Sequence, residues 1–77
     1  MTHYIRILPE YFKAVEHGKK RFELRKNDRD YKVGDNIALQ EWDGKRYTGR
    51  EIYIVIQYVL NDCPEYGLKK GYCIFGW

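Results

Sequence analysis

Asn36-Ile37-Ala38-Leu39-Gln40-Glu41-Trp42-Asp43-Gly44 is the stretch that sets the fold class. Ile37 and Leu39 fall on one face of an alternating run, Gln40 and Trp42 on the other, the period of a half-buried strand. Asp43-Gly44 then supplies the residues that a tight hairpin turn needs. Beyond it, Tyr47 to Leu60 keeps alternating. Ile52, Ile54, Ile56, Tyr58 and Leu60 share one face, and Tyr53, Val55, Gln57 and Val59 share the other. A strand this long with two usable faces predicts a bend around a small barrel.

Upstream, His3 to Leu8 reads as a first strand, with Tyr4, Arg6 and Leu8 alternating against Ile5 and Ile7. Pro9 stands where a helix can begin without losing a hydrogen bond. Glu10 follows in the first turn, where a carboxylate meets the positive end of the helix dipole. Leu8, Tyr11, Phe12 and Val15 form an apolar stripe at helical spacing, and Gly18 closes the helix. Two turns are too short to persist alone, so this helix must lie on the sheet. Residues 20–26 form a charged strand, Asn27 to Asp30 a polar loop, and Val33-Gly34-Asp35 a tight turn. Downstream, Asn61 to Lys70 is a loop or one short helical turn, and Gly71 to Trp77 is a last strand. The expectation is a mainly β (α+β) single domain spanning residues 1–77. It is built as a small β-barrel of four to six strands with one or two short helices.

The chain has 77 residues, so its core is thin, and its eight Tyr, three Phe and two Trp compensate with large buried rings. The net charge of +3 is unevenly placed. Residues 18–32 hold seven cations against three acids, a surplus of four, so the remainder is slightly negative. Such a patch suits a phosphate or polyanion, or simply a solvated loop. No apolar run is long enough for a signal peptide or membrane span, so no membrane partner is expected, and the default is a cytoplasmic protein with Cys63 and Cys73 reduced. The two histidines, His3 and His17, and the two cysteines lack zinc spacing, and neither a metal nor a cofactor is expected.

The chemistry concentrates in Gly18-Lys19-Lys20-Arg21-Phe22-Glu23-Leu24-Arg25. Phe22 and Leu24 alternate with Arg21, Glu23 and Arg25, which predicts one core face and one charged row. Arg25 offers a planar donor fork for phosphate or a base edge, or an ion pair with Glu23 or Asp28. Lys20 is a phosphate contact, a base if desolvated, or a solvated lysine. Glu23 accepts from an exocyclic amino group, or forms a local salt bridge. Lys26, Asn27 and Arg29 extend the candidate ligand set, with loop closure as the alternative role for this segment. Tyr31, Trp42, Tyr47 and Tyr66 are candidate stacking surfaces, Trp42 foremost. Strict alternation places Lys20 opposite Glu23 and Arg25. The three converge only if Lys20 precedes the strand or sits by a bulge, which Gly18 permits.

Gly18-x-Lys20-x-x-Glu23-x-Arg25 resembles the signature of the ASCH domain family, relatives of the PUA RNA-binding fold. Leu8-Pro9-Glu10-Tyr11-Phe12, Val33-Gly34-Asp35, Tyr47-Thr48-Gly49-Arg50-Glu51 and Tyr58-Val59-Leu60 resemble a small bacterial and phage branch of that superfamily, of unknown function. The resemblance implies a PUA-like barrel whose cleft, between barrel and first helix, is lined by the signature. It also implies RNA, a nucleotide or a modified nucleoside as ligand. Small single-domain relatives are amidohydrolases acting on N4-acetylcytidine through a lysine, a threonine nucleophile and a glutamate. Lys20 matches the lysine, but Glu23 stands at the threonine position, and Glu65 is the only acid in the late segment. The chain has no serine, and only Thr2 and Thr48 as threonines. If it were an enzyme, Lys20 and Glu23 would be its acid–base pair; otherwise it is a binding module for RNA or nucleotide, or a protein-interaction module whose partner the sequence does not identify.

Overall fold

The computed structural model describes all 77 residues. The elements in order are β1 (Thr2–Ile7), α1 (Pro9–Glu16), β2 (Phe22–Lys26), β3 (Asn36–Trp42), β4 (Tyr47–Val55), β5 (Tyr58–Asn61), a single 3-10 turn (Pro64–Tyr66) and β6 (Tyr72–Gly76). They form two three-stranded sheets, ordered β1-β3-β4 and β2-β6-β5. The fold is therefore mainly β, and the ladders do not close into a barrel.

β1 runs parallel to β3, a pairing that needs a long crossover, here made by α1, β2 and the loop after it. β3 and β4 form the expected hairpin. The Asp43 N–H donates to the Arg46 carbonyl at 3.1 Å, and Asp43 Oδ1 accepts from the N–H groups of Lys45 and Arg46. Gly44 holds φ +100°, a conformation that other residues rarely adopt. These backbone bonds also draw the Asp43 carboxyl below its usual pKa range.

The single long strand expected over Tyr47 to Leu60 is instead two strands in different sheets. The Ile56 N–H donates to the Asp35 carbonyl at 2.9 Å, and the Ile56 carbonyl accepts from Gly34 at 2.8 Å. The next residue, Gln57, donates to the Gly76 carbonyl at 2.8 Å. The backbone is captured by one neighbour and then by another, and the side-chain phase slips with it. Ile52, Ile54 and Ile56 point to the core as the alternation predicts. Tyr58 and Leu60 do not: they are exposed, and Val59 packs inward in their place.

The core sits between the sheets and under α1. It comprises Ile5, Ile7, Ile37, Leu39 and Ile56, with Phe12 and Val15 from the helix, Tyr31 from the loop, and Cys73 and Phe75 from β6. Each fully buried large side chain contributes about 1.5–3 kcal/mol relative to exposure. Tyr31 is thus a core ring rather than a stacking surface, set edge-on to His3 at 4.9 Å and tilted against Phe75 at 4.8 Å. Burial raises its phenol pKa, an effect that Arg29 and Arg25 partly oppose.

The strongest correction concerns β2. Phe22 and Leu24 were expected inside and the charged row outside, and the reverse is found. Glu23 is buried, whereas Phe22 and Leu24 are about half exposed. The register explains this. Glu23 lies opposite Phe75 and Arg25 opposite Cys73, both inward-facing core residues of β6. Cross-strand partners share a face, so β6 dictates that Glu23 and Arg25 point inward.

Candidate functional site

A cleft of about 570 Å³ opens between the β1–α1 corner and β2, within the range of small-molecule sites. Leu8 and Tyr11 form one wall and Phe22, Leu24 and Tyr72 the other. Arg6, Lys20, Glu23, Arg25 and Lys26 supply its charge: four cations against one carboxylate. The helix positions the first wall. Pro9 starts α1 directly after β1, so Leu8 and Tyr11 stand at the corner while Phe12 and Val15 enter the core.

Glu23 is the centre of the polar wall. Its Oε1 accepts from Lys20 Nζ, and its Oε2 accepts from Arg25 Nε at 2.9 Å. The two roles left open for Glu23, salt bridge and acceptor, are compatible, because each oxygen keeps a lone pair after one such bond. Arg25 also donates from Nη2 to the Arg6 carbonyl at 2.6 Å, tying β2 across the cleft to β1. Lys20 lies before β2, and Gly18 at φ +72° turns the chain so that it can converge on Glu23. Lys20 Nζ also donates to the Phe22 carbonyl at 2.7 Å, and lies 5.1 Å from the Phe22 ring centroid and 5.7 Å from that of Tyr11. The three signature side chains meet as the spacing required.

The backbone adds a feature that side-chain reasoning missed. β2 is an edge strand. Its ladder to β6 uses the odd-numbered residues: the Arg21 carbonyl accepts from Trp77 and the Asn27 N–H donates to Gly71. In an antiparallel ladder the even-numbered residues then point the other way. The Leu24 N–H and C=O therefore face the cleft as a donor–acceptor pair.

The other sequence candidates divide. Lys26 lines the cleft. Asn27 and Arg29 do not: Asn27 Oδ1 accepts from the Tyr31 N–H at 3.2 Å, and Arg29 Nη1 donates to the Tyr4 carbonyl at 2.5 Å. Both close the loop that carries Tyr31, the alternative role considered for this segment. Trp42 lies outside the cleft, with the Arg6 guanidinium 4.6 Å over its ring and Tyr47 edge-on at 5.0 Å. Tyr66 is exposed on the 3-10 turn, away from the cleft. Conversely, sequence reasoning passed over Leu8, Tyr11 and Tyr72. The one usable signal was the helical stripe, where Leu8 and Tyr11 precede the residues that the core needs.

A second polar cluster lies elsewhere. Thr48 Oγ1 donates to buried Glu41 at 2.6 Å, and Arg50 bonds Glu16 at 2.7 Å while lying 4.7 Å over Phe12. This cluster fastens α1 to the β3–β4 hairpin. Neither Thr48 nor Glu65 lines the cleft, so no threonine is brought to Lys20.

The chain belongs to the family described as a domain of unknown function (DUF3850), whose model matches residues 2–77. It is also similar to an uncharacterized 12.9 kDa protein in the GpA 3' region of Escherichia phage P2. The two are 44% identical over 50 residues, which is 65% of this chain and 46% of the phage protein. The match thus spans about half the length of that relative.

Proposed function

We propose that this DUF3850 domain is an ASCH-type module that binds RNA, or a nucleotide, in the cleft between α1 and β2. The observation that carries the reading is the convergence of Lys20, Glu23 and Arg25 on one wall of a cavity of ligand size. On this reading the two open sheets correspond to a PUA-like barrel that is incompletely closed. Arg25 and Lys26 meet phosphate. Tyr11, Phe22 and Tyr72 offer rings to a base, each stacked base contributing about 1–3 kcal/mol. Glu23 accepts from an exocyclic amino group, and Leu24 presents the adjacent backbone donor and acceptor to the same base edge. Single-stranded RNA suits this arrangement better than a duplex, because a base must leave its stack to reach such a pocket.

The test is fluorescence anisotropy of labelled single-stranded and hairpin RNAs against the wild type and Lys20→Ala/Arg25→Ala. The two phosphate contacts, from Arg25 and Lys26, predict a slope of about −1.4 for log affinity against log salt on a single strand. The double variant should lose most of the affinity and flatten the slope, with its fold verified by circular dichroism. Affinity indifferent to salt, or equal affinity in the double variant, would overturn the reading.

A further inference from the structure

The outer face of the β1-β3-β4 sheet is a separate surface, and aromatic rings dominate it. Ile5, Ile7, Ile37 and Leu39 turn into the core, so Tyr4 and Arg6 of β1 and Ala38 and Gln40 of β3 turn outward. The register sets Tyr4, Ala38 and Tyr53 in one row across the three strands, and Arg6, Gln40 and Glu51 in the next. Past the bulge, Trp42 pairs with Tyr47. Ala38 is fully covered although it faces outward, while Tyr4 and Tyr53 on either side of it are 56% and 60% exposed. Two open rings thus stand over a floor that carries only a methyl, their backbones about 10 Å apart. The one carboxylate of these rows, Glu51, is occupied. It accepts from the Tyr53 hydroxyl at 2.8 Å and from the Gln40 amide at 3.3 Å.

This face adjoins the cleft along the free edge of β1, which pairs only with β3. Two guanidinium groups cap that edge. Arg25 Nη2 donates to the Arg6 carbonyl at 2.6 Å, and Arg29 Nη1 donates to the Tyr4 carbonyl at 2.5 Å. The two carbonyls are two residues apart, so the cations follow the strand at a spacing of about 7 Å. Each guanidinium carries five N–H donors and spends one or two of them within the domain, which leaves the others for phosphate. Arg6 joins the two surfaces: it lines the cleft, and its guanidinium lies 4.6 Å over the Trp42 ring. Cations along an edge beside neutral rings on a face suit a single strand, whose backbone follows the charge and whose bases lie on the rings. The cationic edge, continuous with the cleft, selects a nucleic acid over a protein as the occupant. We infer that single-stranded RNA leaving the cleft crosses the edge of β1 on Arg25 and Arg29 and lays two bases on Tyr4 and Tyr53, on the outer face of the β1-β3-β4 sheet. The inference rests on the cleft reading above, and it makes the ligand an oligonucleotide rather than a free nucleotide.

The test compares a short strand with a long one. An oligoribonucleotide of about eight residues is followed by anisotropy, and a dinucleotide, which fills only the cleft, by chemical-shift titration. Tyr4→Leu/Tyr53→Leu keeps an apolar cover over Ala38 and removes both rings. It should weaken the long strand by about 100-fold, roughly tenfold for each stacked base. Its affinity for the dinucleotide should stay unchanged, which misfolding cannot imitate. Tyr4→Phe/Tyr53→Phe, which keeps the rings, should bind the long strand as the wild type does. A long strand that binds no tighter than the dinucleotide, or that the Leu variant holds within about twofold of the wild type, would overturn the inference and leave the cleft reading standing; the ring face would then be a surface for a protein partner. Long-strand binding lost in the Leu variant but kept in Lys20→Ala/Arg25→Ala would do the reverse, retiring the cleft and retaining the ring face. Absence of binding to either RNA would overturn both.

Discussion

Replacing Glu23 by Gln isolates the charge at the centre of the cleft with almost no change of shape. The Glu23 side chain is 8% exposed, that of Lys20 15% and that of Arg25 29%. Two hydrogen bonds between charged partners contribute about 1.5–3 kcal/mol each when shielded from water. Gln keeps one acceptor, so one bond survives in weaker form, while its amide donors face a cation. The cation left over is open enough to recover part of its hydration. The net loss is then about 2 kcal/mol, below the 3–5 kcal/mol of a fully buried broken pair. A chain of 77 residues has a total stability of about 4–11 kcal/mol. Loss of about 2 kcal/mol should lower Tm by about 8–16 °C, and the urea midpoint by 1–2 M for slopes of about 1–2 kcal/mol/M. A double-mutant cycle with Arg25→Met assigns the pair its share, with a coupling of about 1–2 kcal/mol expected. A Glu23→Gln change within about 0.5 kcal/mol, the range of ordinary surface substitutions, would refute the reasoning. The cluster would then be a solvated surface network.

Three further outcomes follow from the structure. The hydrogen bond between His3 Nε2 and Asp35, at 2.8 Å, holds the Asp35 carboxyl below its usual range. Its contribution to stability is therefore complete above the unfolded value of about 3.9 and lost as pH falls through the lower folded value; Asp35→Asn should flatten that acid limb in thermal melts. Burial raises the Cys73 thiol pKa and leaves the side chain fully covered, so in a Cys63→Ala background a disulfide-exchange reagent should label Cys73 only as fast as the domain opens, and rapid labelling of the native state would contradict the packing. At Gly18, φ is +72° with open space around an added methyl, so Gly18→Ala should cost about 1–2 kcal/mol through backbone strain alone, and Gly18→Asn less, as read from urea midpoints.

The residues by themselves determined every feature that depends on near neighbours. Pro9 and Gly18 bound the helix, Asp43-Gly44 made the hairpin, and β3 kept its expected limits of Asn36 and Trp42. The signature spacing even required Lys20 to precede β2, as it does. Tertiary structure decided what a period of two leaves open, namely which of the two faces turns inward. Phe22 and Leu24 alternate with Glu23 and Arg25 equally well in either phase, and the register against Phe75 and Cys73 chose the charged phase. The same holds after Ile56, where capture of the backbone by Asp35 and then by Gly76 cut one apparent strand into two and sent Tyr58 and Leu60 outward. Tyr31 entered the core and Tyr11 the cleft because of neighbours distant in the chain. An alternating pattern carries the energy of burial but not its address, and the partner strand supplies the address.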